Sequence, residues 1–130
     1  MRKILLIEDD SPTVEIYKEI LKKAKFEVEV LEWGKDGLTL LDAIKDGKKE
    51  KPDLVLLDLI LPDINGIEIL RKAKQDEKLK DIPFFVLTNY SDVKLEKECL
   101  QLGAEKYLVK ANYIPAKIVN AIKNRLRKKK

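Results

Sequence analysis

The chain has 130 residues, 45% hydrophobic and 38% charged, with a formal net charge of +4, which suits one globular domain with a single sizeable core. It has no histidine and one cysteine, Cys99, which removes imidazole catalysis, most zinc sites, an internal disulfide and a cysteine-based metal cluster. No apolar run of about 18 residues and no cleavable leader is present, so a cytoplasmic protein without a membrane partner is expected.

From the N-terminus, MRKILLI reads as a first strand over 4–7 (ILLI), followed at once by Glu8, Asp9 and Asp10. Ser11-Pro12 reads as a helix start, with a hydroxyl cap and a proline in the first turn. Val14, Tyr17, Leu21 and Ala24 then recur at helical steps. A second strand at 28–31 (VEVL) ends in Glu32-Trp33-Gly34, and a third at 54–57 (LVLL) runs into Asp58 before the chain breaks at Pro62 and Gly66. The fourth, 84–87 (FFVL), ends in Thr88 and Asn89, with Ser91 expected to cap the following helix. The fifth, 107–109 (YLV), ends at Lys110, and Ile114, Ile118, Ile122 and Leu126 give the last helix its apolar face. The final KNRLRKKK holds six basic side chains; without them 21 basic groups face 23 acidic ones, a net of −2. Residues 125–130 are therefore expected to form a basic helix end or solvated tail after a domain of 1–124, because cations suit a helix C-terminus.

Five strands alternating with helical segments imply an α/β fold with a parallel sheet, helices on both faces and right-handed crossovers. Four of the five strands lack clean apolar/polar alternation, as strands covered on both faces do. Ligands of such sheets bind outside the carboxyl ends of the strands, where the strand order reverses. The residues found there are Glu8, Asp9 and Asp10, then Asp58, then Thr88 and Asn89, then Lys110.

Carboxylates gathered at one rim repel and call for a cation. Oxygen ligands without histidine or cysteine suit a hard ion such as Mg²⁺. A hydroxyl and an ammonium opposite that ion are what a transferring phosphoryl group requires, and a carboxylate can accept it as an acyl phosphate. Taken singly, each residue has a plainer account: the acidic trio neutralising a helix start, Thr88 as a strand residue, Lys110 as a surface lysine, Tyr107 as packing. Asp58 resists one, because capping does not require the apolar run around it.

Together, KILLIEDDSP, LVLLDLILPDINGIEIL, FFVLTNYSD and YLVKAN resemble the receiver domain of two-component response regulators, over nearly the whole chain. The resemblance rests on the D-x-x-x-P-x-x-x-G spacing of Asp58, Pro62 and Gly66 joined to the acidic pair, the threonine and the lysine. It implies a doubly wound, flavodoxin-like sheet of order 2-1-3-4-5. By the same resemblance Asp58 is the phosphoacceptor, and Asp9, Glu8 (through water), Asp58 and the backbone carbonyl of Ile60 hold Mg²⁺. Thr88 and Lys110 bond phosphoryl oxygens. Thr88 and Tyr107 form a switch that moves together, remodelling the surface of the fourth helix, fifth strand and fifth helix.

The implied partners are a histidine kinase or histidine phosphotransfer protein as donor and a downstream protein target, met through Asn89, Tyr90, Lys94, Tyr107 and Lys117. No DNA-binding output domain is expected, and the protein would be a monomer or a phosphorylation-dependent dimer. It would be no enzyme beyond promoting its own phosphorylation and dephosphorylation. Departures from the family pattern are Ala111, where proline is usual, and Asn89, expected to narrow access to the site. A cis bond before alanine costs about 2.5 to 4 kcal/mol, so Lys110–Ala111 is expected to be trans. Ile60 and Tyr90, bulky and uncharged, are expected to shield the acyl phosphate from water. Asp58 itself is expected to be exposed at its tip.

Rival readings fail on residues. A haloacid-dehalogenase-type phosphohydrolase needs a second aspartate where Ile60 stands, and none of the five glycines forms a nucleotide-binding loop. The remaining alternative is a receiver-like interaction adaptor that acts without phosphorylation, which would normally have lost a key residue.

Overall fold

Each strand sends successive side chains to opposite faces of the sheet, and in the three central strands both sets are almost entirely apolar. In the computed structural model, which describes residues 1–127, strands β1 (Lys3–Ile7), β2 (Glu27–Leu31), β3 (Leu54–Leu57), β4 (Phe84–Thr88) and β5 (Lys106–Val109) alternate with helices. The helices are α1 (Ser11–Lys23), α2 (Gly34–Lys45), α3 (Ile67–Lys74), α4 (Val93–Leu102) and α5 (Pro115–Arg127). All neighbouring strands pair in parallel, in the order β2-β1-β3-β4-β5.

Leu5, Ile7, Val55, Leu57, Phe84 and Val86 pack on one face with Leu41, Ile69, Leu70 and Cys99 from α2, α3 and α4. Their neighbours Ile4, Leu6, Leu54, Leu56, Phe85 and Leu87 pack on the other with Val14, Tyr17, Leu21, Ile118 and Ile122 from α1 and α5. That division explains the missing alternation: both faces are dry, so both must be apolar. After β1 the chain turns to β2 on one side and then to β3 on the other, which places the reversal of strand order between the ends of β1 and β3.

The helix starts differ from expectation. The cap of α1 is Asp10, whose carboxylate accepts from Thr13 N–H at 3.1 Å and from the Thr13 hydroxyl at 2.5 Å, and Ser11 is already helical. Likewise Asp92, accepting from Leu95 N–H at 3.1 Å, caps α4 in place of Ser91. A carboxylate placed against the free N–H groups also answers the helix dipole, which a hydroxyl does not. Ile114 precedes α5 and is 62% exposed, and Val119 takes part in the buried face instead. Helix α5 continues through Arg127, with Arg125 gripping Glu105 through Nε at 2.6 Å and Nη2 at 3.0 Å. The rest of the basic segment, 128–130, lies outside the described residues. Among those described, no helix is long and apolar enough to cross a membrane.

The loop after β3 folds back on the strand it leaves. Gly66 N–H donates to Leu59 O at 2.7 Å, and Ile60 bridges Asn65. A Cβ at Gly66 would lie 2.4 Å from the carbonyl oxygen of Asp58 and 2.9 Å from Leu59 Cα, so only glycine permits this approach although its φ of −59° is ordinary. Gly66→Ala should therefore push the backbone off Asp58 and lower stability by about 1 to 3 kcal/mol, the range for overpacking. Urea unfolding checks this, and an unchanged midpoint would contradict the close approach.

Candidate functional site

The backbone ladder runs one residue beyond the strands, where it fixes two carboxylates. Glu8 N–H donates to Leu31 O at 3.0 Å, and Asp58 N–H to Ile7 O at 2.9 Å. Both side chains are buried, Glu8 at 1% and Asp58 at 6% exposure. Asp58 thus departs from the expected exposed tip, lying at the bottom of the cleft with the 59–66 loop folded back against its backbone. Asp9, next along from Glu8, is exposed.

Oxygens of Glu8, Asp9 and Asp58 all lie within 4.8 Å of one another. Among the described residues the cation that pairs with them is Lys110, whose Nζ stands 2.9 Å from Glu8 Oε1 after reaching back from the end of β5. The approach is an ion contact without hydrogen-bond alignment, which leaves Oε1 a buried acceptor with no donor. Glu8 Oε2 accepts from Asp10 N–H at 3.1 Å, and Asp58 Oδ1 from Ile60 N–H at 3.3 Å. Burial, and after it the charge of Glu8, pushes the Asp58 carboxyl up to about 7, against the pull of Lys110 and the Ile60 N–H. A hard oxygen donor set with a donorless buried oxygen and too little positive charge fits a divalent cation.

These groups open on one cleft of about 530 Å³, lined by Glu8, Asp9, Asp58, Ile60, Asn89 and Lys110, together with Asp10 to Thr13. Asp10 stands beside the acidic trio but is engaged in capping α1, and the Thr13 hydroxyl that bonds it held Asp10's carboxyl below its ordinary value. Thr13 went unnoticed in the sequence, where its spacing of three from Asp10 was the available signal.

Thr88 and Tyr107 are set behind the cleft and do not line it. Thr88 is fully buried, its Oγ1 accepting from Tyr90 N–H at 3.3 Å, and the buried Tyr107 donates its hydroxyl to Tyr90 O at 2.9 Å. The backbone of Tyr90 is thus held at both its polar groups by the two residues read as a switch. Of the pair expected to shield the site, Ile60 lines the cleft at 47% exposure, whereas Tyr90, 53% exposed, does not line it. No peptide bond among the described residues is cis, so Lys110–Ala111 is trans, and residues Lys110–Asn112 form a short 3-10 turn.

Asp63 was missed as a structural group. Its carboxylate accepts from Gly34 N–H at 2.8 Å and Lys35 N–H at 2.9 Å, capping α2 from the loop between β3 and α3, where Trp33 offers no side-chain cap. The loop after Asp58 is thereby tied to a second helix.

The sequence profile of the response regulator receiver domain matches residues 4–123. The chain is 26% identical over 125 residues to the polar-differentiation response regulator DivK of Brucella ovis, with 96% of each covered. Among solved structures, the Mn(2+)-bound form of response regulator Rcp1 has a TM-score of 0.86 at 29% identity, covering 100% of this chain and 97% of that one. The phosphorylated cyanobacterial phytochrome response regulator RcpA has a TM-score of 0.81 at 28% identity, covering 95% and 89%.

The Glu8–Lys110 pair yields a stability test. Lys110→Met leaves a buried carboxylate without its cation and should cost about 3 kcal/mol in urea unfolding. Adding Glu8→Gln should return most of that loss, and a double variant no more stable than Lys110→Met alone would contradict the pairing.

Proposed function

The chain belongs to the response regulator receiver domain family, and from that premise we propose that it takes a phosphoryl group onto Asp58 and thereby regulates a protein partner. The observation that carries this reading is the joining of Glu8, Asp9, Asp58 and Lys110 at one cleft with a charge pattern that lacks a cation. The donor is a phosphohistidine on a kinase or phosphotransfer protein, or a small acyl phosphate. The chain itself holds no histidine to serve.

In the transfer, an oxygen of the Asp58 carboxylate forms a bond to phosphorus as the bond from phosphorus to the donor nitrogen or oxygen breaks. The leaving group keeps the electron pair, and a departing imidazole then takes up a proton. Glu8, Asp9, Asp58 and the carbonyl of Ile60 would hold Mg²⁺, which would supply neutralisation of the phosphoryl oxygens. Lys110 adds a fixed positive charge in a site from which Ile60 helps exclude water. The protein is a signalling module whose chemistry is confined to its own phosphorylation and dephosphorylation.

The output follows from Tyr90. When the Thr88 hydroxyl turns to a phosphoryl oxygen it gives up the Tyr90 N–H, and Tyr107 still holds the carbonyl of the same residue. The loop from β4 to α4 must then resettle, changing the exposed surface of Asn89, Tyr90, Lys94 and Lys117. One added charge biases a two-state element.

Incubated with acetyl phosphate and Mg²⁺, the protein should gain the mass of one phosphoryl group, with none gained after chelation or by Asp58→Asn. No gain by the unaltered protein, under conditions that phosphorylate another receiver, would instead support the unphosphorylated adaptor.

A further inference from the structure

Taking the phosphoacceptor reading as given, we infer that the side-chain amide of Asn89 is a hydrogen-bond donor to the phosphoryl group on Asp58. Strand β4 lies between β3 and β5, so its end is flanked by Asp58 on one side and the base of Lys110 on the other. A group bridging that carboxylate and that ammonium therefore sits over the end of β4. Before phosphorylation the polar side chain that β4 presents there is Asn89: it is exposed and lines the cleft, while Thr88 is fully buried, with its hydroxyl occupied by Tyr90 N–H until it turns. No hydrogen bond among the described residues engages the Asn89 carboxamide, so its two N–H groups are available.

The chemistry favours an amide at this position. Lys110 is already drawn to Glu8 at 2.9 Å and must be shared when an anion arrives. Asn89 adds a donor that no carboxylate competes for. A neutral donor also places no further charge among three carboxylates, and it acts where negative charge collects during transfer. With acetyl phosphate, the Asp58 oxygen bonds phosphorus while the phosphorus–acetyl oxygen bond breaks and acetate departs with the electron pair. No proton is transferred, and the Asn89 N–H donates to a phosphoryl oxygen throughout.

This reading and simple narrowing of the cleft predict opposite signs. The test is the initial rate of phosphoprotein formation from acetyl phosphate and Mg²⁺, followed by intact mass, for the unaltered protein, Asn89→Ala and Asn89→Asp. Asn89 is exposed, and equal urea midpoints will establish that the variants fold alike. Asn89→Ala should slow the rate about tenfold, about 1.4 kcal/mol of transition-state stabilisation, within the range for a hydrogen bond to a charged group. Asn89→Asp, nearly the same shape but repelling the donor's phosphate, should be slower still. An alanine variant as fast as the unaltered protein or faster overturns the assignment of Asn89 alone, as does an undiminished aspartate variant. Failure of the unaltered protein to gain phosphoryl overturns the phosphoacceptor reading, and this inference with it.

Discussion

Among the described residues three carboxylates share a rim with a single ammonium, and two of them are buried. Glu8 and Asp58 are held there by main-chain hydrogen bonds from strands that have no freedom to move apart. Isolated buried carboxylates are costly, so the arrangement persists because the dry core on both faces of the sheet supplies enough stability to hold it. The proposed function rests on this imbalance: a rim short of positive charge suits a cation, and a cation over a carboxylate would make the place where a phosphoryl group can be received.

The surrounding structure holds the site rigid on one side and leaves it able to respond on the other. Between β3 and α3, Gly66 lets the chain press against Asp58, and Asp63 fastens that loop to the start of α2. On the β4 side two side-chain bonds, from Thr88 and Tyr107, hold the backbone of Tyr90. Under the proposed function, a charge arriving at Asp58 would meet a tied loop on one side and, on the other, a loop held by two side-chain bonds, the asymmetry a signalling element needs.

The strands were legible because burial on both faces writes an uninterrupted apolar run, and the site because parallel sheets gather chemistry at one end. Glu8, Asp9, Asp58 and Lys110 needed only that rule to be brought together. What stayed hidden depended on backbone path. Whether Ser11 or Asp10 caps α1 turns on where the helix begins, by one residue. The burial of Asp58 depends on how the elements meet at the rim, and the cap supplied by Asp63 spans residues 29 apart in the chain. Nothing in a local window distinguishes a threonine at a strand end that faces the cleft from one set behind it, as Thr88 is.

The electrostatic imbalance itself is open to direct measurement. Without a divalent cation, the folded protein keeps the Asp58 proton up to about pH 7, while the unfolded chain releases it near pH ~3.9. More protons are then bound in the folded state across that window, so this group's contribution to stability falls as pH rises through it. Carbon-13 NMR of the Asp58 side-chain carboxyl follows the titration at the site. A midpoint of about 7 that drops when Mg²⁺ is added is expected; a midpoint near ~3.9, indifferent to the ion, would contradict the crowded, cation-seeking rim.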